Sequence, residues 1–383
     1  MNTELIEVIK KSFSERFNTN NSLLIFSPGR INLIGEHTDY NEGFVFPAAI
    51  DKGIYIAIQK TENSKSTMVA LDKNEVYEFD LNNIIPLSDH SWKNYVLGVI
   101  SEIQKKDKKL SNFNVVIAGD IPEGAGLSSS AALENAIAYG LNELFDLNLS
   151  KQEMILISQQ AEHNFVGVKC GIMDQFASMF GEENSALLLD CRSLEANSYT
   201  INLDEYELVL IHSNVKHTLA TSAYNDRRAV CEKVASLIGV KALRDTARSD
   251  IDAIASQLTD ADYQKTLYVI EENERTLKAA SSLLTNDIKA LGKLLFESHK
   301  GLSEKYKVSC SELDFLVNEA QVSKAVIGAR MMGGGFGGCT INIVESSKKE
   351  TFLATIQQKY SNTFNNMCSI YEVNLSKGTR VIL

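Results

Sequence analysis

Proline is scarce in this chain: four residues in 383, Pro28, Pro47, Pro86 and Pro122, all in the first third. From Glu123 onward nothing bars long helices, and the stretches 224–239 and 262–299 show helical spacing with Lys and Glu on the wet side. The six cysteines stand singly, with no C-x-x-C pair and no His spaced to complete a zinc site, which excludes a disulfide framework and a structural zinc site. They read as reduced, mostly buried thiols. No run approaches the roughly 18 to 20 apolar residues of a membrane span. The N-terminus sets Leu5, Ile6, Ile9, Phe13 and Phe17 at helical spacing among early acids, which predicts an amphipathic helix and not a secretory signal. A cytoplasmic protein is expected. Positive charge is also short: Lys plus Arg is 38 against 49 Asp plus Glu, a net −11. That balance argues against nucleic acid or an anionic membrane as main partner, while leaving room for a local cationic pocket for a phosphate.

What is present is a packed protein, 44% apolar and 23% charged. Its length exceeds what one core serves, so two domains are expected, 1–200 and 201–383, with no Pro/Ser/Gly linker to mark the join. Strands are expected at 44–59, 113–122, 185–190, 206–213, 339–345 and 369–376. With helices in both halves, the pattern is α+β, mixed β-sheets with helices. The charge cluster KKDKK at 105–109 suits a helix end or a solvated loop, and the lone Trp92 a packing aromatic.

Three polar, glycine-containing motifs each adjoin an apolar run: SPGRINLIGEHTDYNEGF (27–44), GDIPEGAGLSSSAALE (119–134) and GARMMGGGFGGCTI (328–341). In the second, a strand leads through Gly124, Ala125 and Gly126 to a helix opening on Ser128, Ser129 and Ser130. Free N–H groups and the positive dipole end gather there, so the turn suits a polyphosphate; an ordinary serine-capped helix suits it as well. No Walker sequence and no protein-kinase H-R-D or D-F-G set occurs. In the third, five glycines between 333 and 338 imply close approach of the main chain to something, or a turn between helix and strand. The first crowds Arg30, Asn32, Glu36, His37, Asp39 and Tyr40 into one short stretch. Such a mixture of donors and acceptors suits a polyhydroxylated ligand. His163, His212, His217 and His299 show no triad or metal spacing.

GRINLIGEHTDY resembles the signature of galactokinases. With GAGLSSSA and MMGGGFGG, it supplies the three motifs of the galactokinase, homoserine kinase, mevalonate kinase and phosphomevalonate kinase superfamily. AEHNFVGVKCGIMDQFAS (161–178) and SAYNDRRAVCE (222–232) match further, and the likeness runs along nearly the whole chain. The resemblance implies a two-domain small-molecule kinase fold with the site in the interdomain cleft, and phosphorylation of α-D-galactose at its anomeric hydroxyl by ATP. It implies that Asp174 is the catalytic carboxylate and Arg30 its cationic partner. Glu36, His37, Thr38, Asp39, Gly171 and Tyr224 would bind the sugar. The loop of Gly124, Ala125, Gly126, Leu127, Ser128, Ser129 and Ser130 would hold the nucleotide, and Ser130 with Glu162 would place Mg²⁺. The partners implied are galactose and ATP, with no nucleic acid and no membrane, and a monomer is expected. Rival readings are a kinase for a related sugar such as N-acetylgalactosamine, and a non-catalytic galactose sensor. Retention of Ser128 to Ser130, Glu162, Arg30 and Asp174 disfavours the sensor. Cys170, just before the catalytic stretch, is a place where thiol reagents could act.

Overall fold

The computed structural model describes residues 1–89, 91–215 and 220–382, with only the helical backbone described for 220–223. The first half runs α1 (Thr3–Phe17), β1 (Leu23–Asn32), β2 (Phe44–Val45), β3 (Pro47–Lys60), β4 (Ser66–Ala70), β5 (Glu75–Phe79), α2 (Lys93–Gln104) and β6 (Phe113–Gly119). Three helices follow, α3 (Ser129–Phe145), α4 (Lys151–Ala161) and α5 (Met173–Phe180), then the hairpin β7 (Ser185–Asp190) and β8 (Glu195–Thr200). The second half runs β9 (Tyr206–His212), α6 (Ala220–Ile238), α7 (Arg248–Ala253), α8 (Asp260–Leu284), α9 (Ile288–Gly301) and α10 (Ser311–Val322). It ends with β10 (Val326–Met331), β11 (Cys339–Glu345), α11 (Lys349–Phe364), β12 (Ser369–Glu372) and β13 (Arg380–Val381).

A six-stranded sheet in the order β13-β1-β3-β6-β4-β5 forms the frame of the first half, antiparallel except for β4 beside β6. Helices α2 to α5 cover one face through Ile56, Val115, Ile137 and Phe176. On the other face α1 inserts Ile9 and Phe13 against Phe26, Tyr55 and Val116, which is the amphipathic role its spacing predicts. The second half is built on β10-β11-β9-β12, with α10 and α11 packed on it through Leu316 and Ile356. A division near residue 200 falls between β8 and β9. Among the features that cross it, β13 pairs with β1, and one core joins Ile31, Leu33 and Phe46 to Leu208, Leu210 and Ile341.

The expected strands at 185–190, 206–213 and 339–345 are formed, whereas that at 369–376 stops at Glu372 and that at 113–122 at Gly119. The helical stretch 262–299 is two helices. Asn286 takes a left-handed φ of 54°, and Asp287 caps α9 by accepting from the Ala290 amide at 2.9 Å. KKDKK follows the end of α2 on the surface, and Trp92 packs half-buried, its indole donating to Glu75 at 3.1 Å. Among the described residues no helix is long and apolar enough to cross a membrane.

Candidate active site

Arg30 owes its direction to a bulge. Pro28 has no N–H for the ladder, and the β1–β3 register shifts between Pro28 and Arg30. Gly29, between them, lies so close to the serine-loop segment that a Cβ would stand 2.6 Å from the Leu127 carbonyl oxygen. The Arg30 guanidinium, 4% exposed, meets Asp174 at the start of α5 with two parallel bonds, Nε to Oδ1 at 2.8 Å and Nη2 to Oδ2 at 3.0 Å. Its Nη1 donates to the Gly126 carbonyl at 2.6 Å, tying the pair to the serine loop. Burial works against the Arg30 charge, but Asp174 outweighs it and raises the guanidinium pKa.

Asp174 is itself placed by buried polar contacts. The Asn135 amide on α3 donates to the Gln175 carbonyl at 2.8 Å and accepts from Ser158 on α4 at 2.9 Å. At the far end of α5, Ser178 bonds Ser27 of β1, and Thr379 of the C-terminal segment donates its N–H to the Ser178 carbonyl. The chain end thus locks the helix that carries Asp174.

The serine loop is wound tightly, with positive φ at Gly124, Gly126 and also Ser128 (58°). Ser128 precedes α3 without capping it; its hydroxyl donates instead to Asp174 Oδ2 at 2.5 Å. Asp174 therefore accepts three bonds while its side chain remains 29% exposed. Gly124, Gly126 and Ser129 are exposed at the start of α3, whereas Ala125 and Leu127 point into the core. His212, the last residue of β9, grips the loop from the second half by donating from Nε2 to the Gly124 carbonyl at 2.8 Å.

The first motif forms a pocket beside Asp174, lined by Arg30, Glu36, His37, Asp39, Gly171 and Tyr224 together with the first glycines of the third motif. Helix α8 holds this loop from behind. Tyr268 donates to the Glu36 carbonyl at 3.0 Å, Glu272 accepts from the Gly35 amide at 3.0 Å, and Asn273 accepts from the Phe44 amide at 2.9 Å. The Thr38 hydroxyl lies 2.7 and 2.6 Å from the Gly35 and Phe44 carbonyl oxygens, its one proton shared between them, and is fully buried, so it shapes the loop and lies outside the pocket wall. Asp39 lies against Gly171, where a Cβ would stand 1.9 Å from its Oδ2. Burial, with Asp174 adding to it, raises the Asp39 pKa to about 7. His37 has a left-handed φ of 64°; burial and then the Arg227 charge lower its pKa to about 3, so it is a neutral imidazole. The ring of Tyr224 packs at 5.5 Å from that of His37.

Glu36 is paired with a residue that sequence reading did not single out. Arg330, fully buried at the end of β10, donates from Nη2 to Glu36 Oε1 at 3.0 Å and otherwise bonds the carbonyls of Leu33, Asn32 and Met331. The Gly333 amide adds a bond to the same carboxylate oxygen at 2.7 Å. A charged residue in an apolar strand, directly before the glycine run, was the available signal.

Glu162 opens a π-helical turn, Glu162–Val166, that continues α4, and such turns recur at functional sites. Its Oε2 accepts from Gln175 at 3.0 Å, and Gln175 also reaches Glu134 at 3.3 Å. Burial, then Asp174, raise the Glu162 pKa to about 7. Glu134, also not singled out from sequence, is fully buried and pushed well above the carboxylate range by burial and then by Glu162. No group of three His, Cys, Asp or Glu side chains among the described residues could by itself hold a metal, so any cation here must draw on serine, water and phosphate oxygens. Cys170 is not a reactive thiolate: burial and then Glu162 raise its pKa well above the ordinary thiol value. His163 donates to the Cys170 carbonyl at 2.9 Å and His299 pairs with Asp314, both structural roles; His217 lies outside the described residues.

A bidentate Arg–Asp pair between a polar, acid-lined pocket and a glycine–serine loop defines a class, the small-molecule kinases in which the loop precedes a helix. Residues 94–182 match the GHMP kinases N terminal domain and residues 279–362 the GHMP kinases C terminal family, while residues 11–60 match the galactokinase galactose-binding signature. The chain belongs to the galactokinase family. It is 40% identical to a galactokinase of Clostridium beijerinckii over 387 residues, covering 99% of this chain and 100% of the relative. It is 42% identical to one of Thermosipho africanus over 360 residues, covering 93% and 99%. The solved galactokinase of Lactococcus lactis complexed with galactose superimposes with a TM-score of 0.94 at 33% identity, covering 98% of this chain and 99% of that one. A mevalonate kinase structure shares the fold, at TM-score 0.64 and 18% identity.

Proposed function

We propose that this protein transfers the γ-phosphoryl group of ATP to the anomeric hydroxyl of α-D-galactose, giving α-D-galactose 1-phosphate and ADP. The observation that carries the reading is the Arg30–Asp174 pair, which touches the serine loop on one side and the pocket of Glu36, His37 and Asp39 on the other. In the reaction the anomeric oxygen forms a bond to the γ-phosphorus as the bond to the β,γ-bridging oxygen breaks, and ADP leaves. Asp174 accepts the hydroxyl proton and later returns it to solvent. Arg30 holds Asp174 in place with two parallel bonds and faces the charge that spreads over the transferring group. Much of the catalysis in a loose phosphoryl transfer is positioning and charge stabilisation of this kind.

Asp39, Glu36, His37 and Tyr224 bind the sugar, with Gly171 leaving room for the Asp39 carboxylate. A hydroxyl of the wrong configuration leaves one of these buried groups unpaired, at about 1–3 kcal/mol. The amides and hydroxyls of residues 124–130 cradle the triphosphate at the start of α3. Ser130 and Glu162 would hold Mg²⁺, which when bound neutralises phosphate charge. We assign the site to a cleft between domains 1–200 and 201–383. Six unpaired thiols suit the cytoplasm.

The test is coupled ADP release with Mg-ATP and galactose, glucose, N-acetylgalactosamine, arabinose, homoserine or mevalonate, on wild type and Asp174→Asn. Turnover with galactose and its loss in the variant are expected. Binding of galactose without ADP release by the wild type would overturn the catalytic reading.

A further inference from the structure

Behind the sugar pocket lies a line of hydroxyl and thiol groups that ends on His37. The Nδ1 atom of His37 is 2.9 Å from the Tyr40 hydroxyl, which is 2.7 Å from the Tyr306 hydroxyl, which is 3.5 Å from Cys231 Sγ. Tyr306 and Cys231 are 0% and 1% exposed. They come from separate elements, Cys231 from α6 and Tyr306 from a π-helical turn, Leu302–Tyr306, that continues α9. Three segments distant in sequence thus converge on one imidazole nitrogen. The other nitrogen, Nε2, is buried without a well-formed hydrogen bond to any described residue, although the Gly334 backbone lies beside the ring, and His37 lines the pocket.

We propose that Cys231, Tyr306 and Tyr40 form a one-directional hydrogen-bond chain that fixes the tautomer of His37, leaving an Nε2–H donor aimed at a sugar hydroxyl oxygen. This rests on the sugar-binding reading of the pocket and deepens it: the three residues are positioning residues, acting through His37. Chemistry selects the direction. Cys231 donates S–H to the Tyr306 oxygen, Tyr306 donates to Tyr40, and Tyr40 donates to Nδ1, so the ring proton must sit on Nε2. The reverse order would end an O–H on sulfur, a weak acceptor. The forward order also complements the rest of the wall. Glu36, Asp39 and Asp174 offer acceptor oxygens, so hydroxyl hydrogens go to carboxylates and the sugar oxygens are left needing donors. Of the two neutral tautomers, the Nε2–H form supplies such a donor at the one nitrogen that remains unpaired. The thiol and both phenols stay protonated near neutral pH, since burial raises all three, Cys231 to about 11.

The test reads the tautomer directly, by ¹⁵N NMR of the full-length ligand-free protein labelled at histidine, with His37 assigned by its loss in His37→Gln. A pyridine-like Nδ1 and a pyrrole-like Nε2 are expected. Tyr40→Phe, which deletes only the hydroxyl, is expected to give a mixed tautomer signal and to weaken galactose binding about fivefold by calorimetry without ATP, with kcat within twofold. His37→Gln, which keeps an N–H donor near the Nε2 position, is expected to bind galactose more tightly than His37→Leu. A pyrrole-like Nδ1 in the wild type, or an unchanged tautomer in Tyr40→Phe, would overturn the proposal. The wild-type spectrum decides even if a variant fails to fold. The expected tautomer in a protein that binds no galactose would leave the chain standing and remove the sugar reading instead.

Discussion

Arg330 and Glu36 form an ion pair closed off from water, with Nη2 and Oε1 at 3.0 Å and side chains 0% and 2% exposed. The pair joins β10, in the second half of the chain, to the loop that forms the pocket in the first. Removing one partner leaves the other as an unpaired buried charge. Arg330→Met is therefore expected to lose about 3–5 kcal/mol of stability, read by urea denaturation. Arg330→Lys should recover only part of this, because an ammonium cannot span Glu36 and the three carbonyls that the guanidinium reaches. Full stability in Arg330→Met would show that the pair contributes little to the fold.

The second prediction follows from Asp39. Its pKa stands at about 7 in the folded protein, raised by burial and by Asp174 from an ordinary value of 3.8. The sign for stability is that ionising Asp39 is unfavourable in the fold: the empty protein gains nothing from this group above pH 7, and favours the protonated form between about pH 4 and 7. For binding the direction reverses. A carboxylate accepting sugar hydroxyls is wanted ionised, so galactose binding should release protons near pH 6.5, and kcat/KM should rise as pH increases through about 7. Calorimetry in buffers of different ionisation enthalpy measures the release. In Asp39→Asn the release should shrink, and an unchanged value would assign it to another group.

Gly171 tests the same contact by sterics alone. A methyl group there would meet the Asp39 carboxylate at 1.9 Å. Gly171→Ala should displace Asp39 and raise the KM for galactose at least tenfold, with the KM for ATP within twofold, because the serine loop lies on the other side of Asp174. Equal effects on both KM values in steady-state kinetics would mean that the whole segment had moved.

How much of this was legible in the sequence depended on the range of the interaction. Local signals sufficed for α1, whose apolar spacing pointed to the face that carries Ile9 and Phe13, and for strands such as Ser185–Asp190. The break between α8 and α9 was not legible, since Asn286 and Asp287 sit inside a continuous helical pattern and act through backbone conformation. At the site, motif residues such as Arg30, Glu36, His37 and Asp39 are close in sequence because one loop presents them. Arg330, Glu134 and Tyr306 were overlooked because each acts through a partner more than 30 residues away or through complete burial. The capped-helix reading of the serine run met a different outcome: Ser128 opens α3, yet its hydroxyl turns to Asp174.

His212 supplies the last prediction. It is 6% exposed, and it is the contact by which β9 reaches the serine loop, through the Gly124 carbonyl at 2.8 Å. Its Nδ1 meets Asn214 Oδ1, and the Asn214 amide is held in turn by the Met367 carbonyl at 2.7 Å and by Ser369 of β12. The loop is thereby tied to the sheet of the second half at a glycine with φ of 72°, a residue with little conformational preference of its own. His212→Ala frees that glycine without touching the sugar pocket. If the loop cradles the triphosphate as proposed, having to order it on each binding event weakens that hold, so the KM for ATP should rise roughly three- to tenfold, the worth of about one hydrogen bond, while galactose affinity stays unchanged. His212→Gln, able to donate to the same carbonyl, should recover part of the loss. Should galactose binding weaken as much as ATP binding, the tether would be serving the fold as a whole and not the loop.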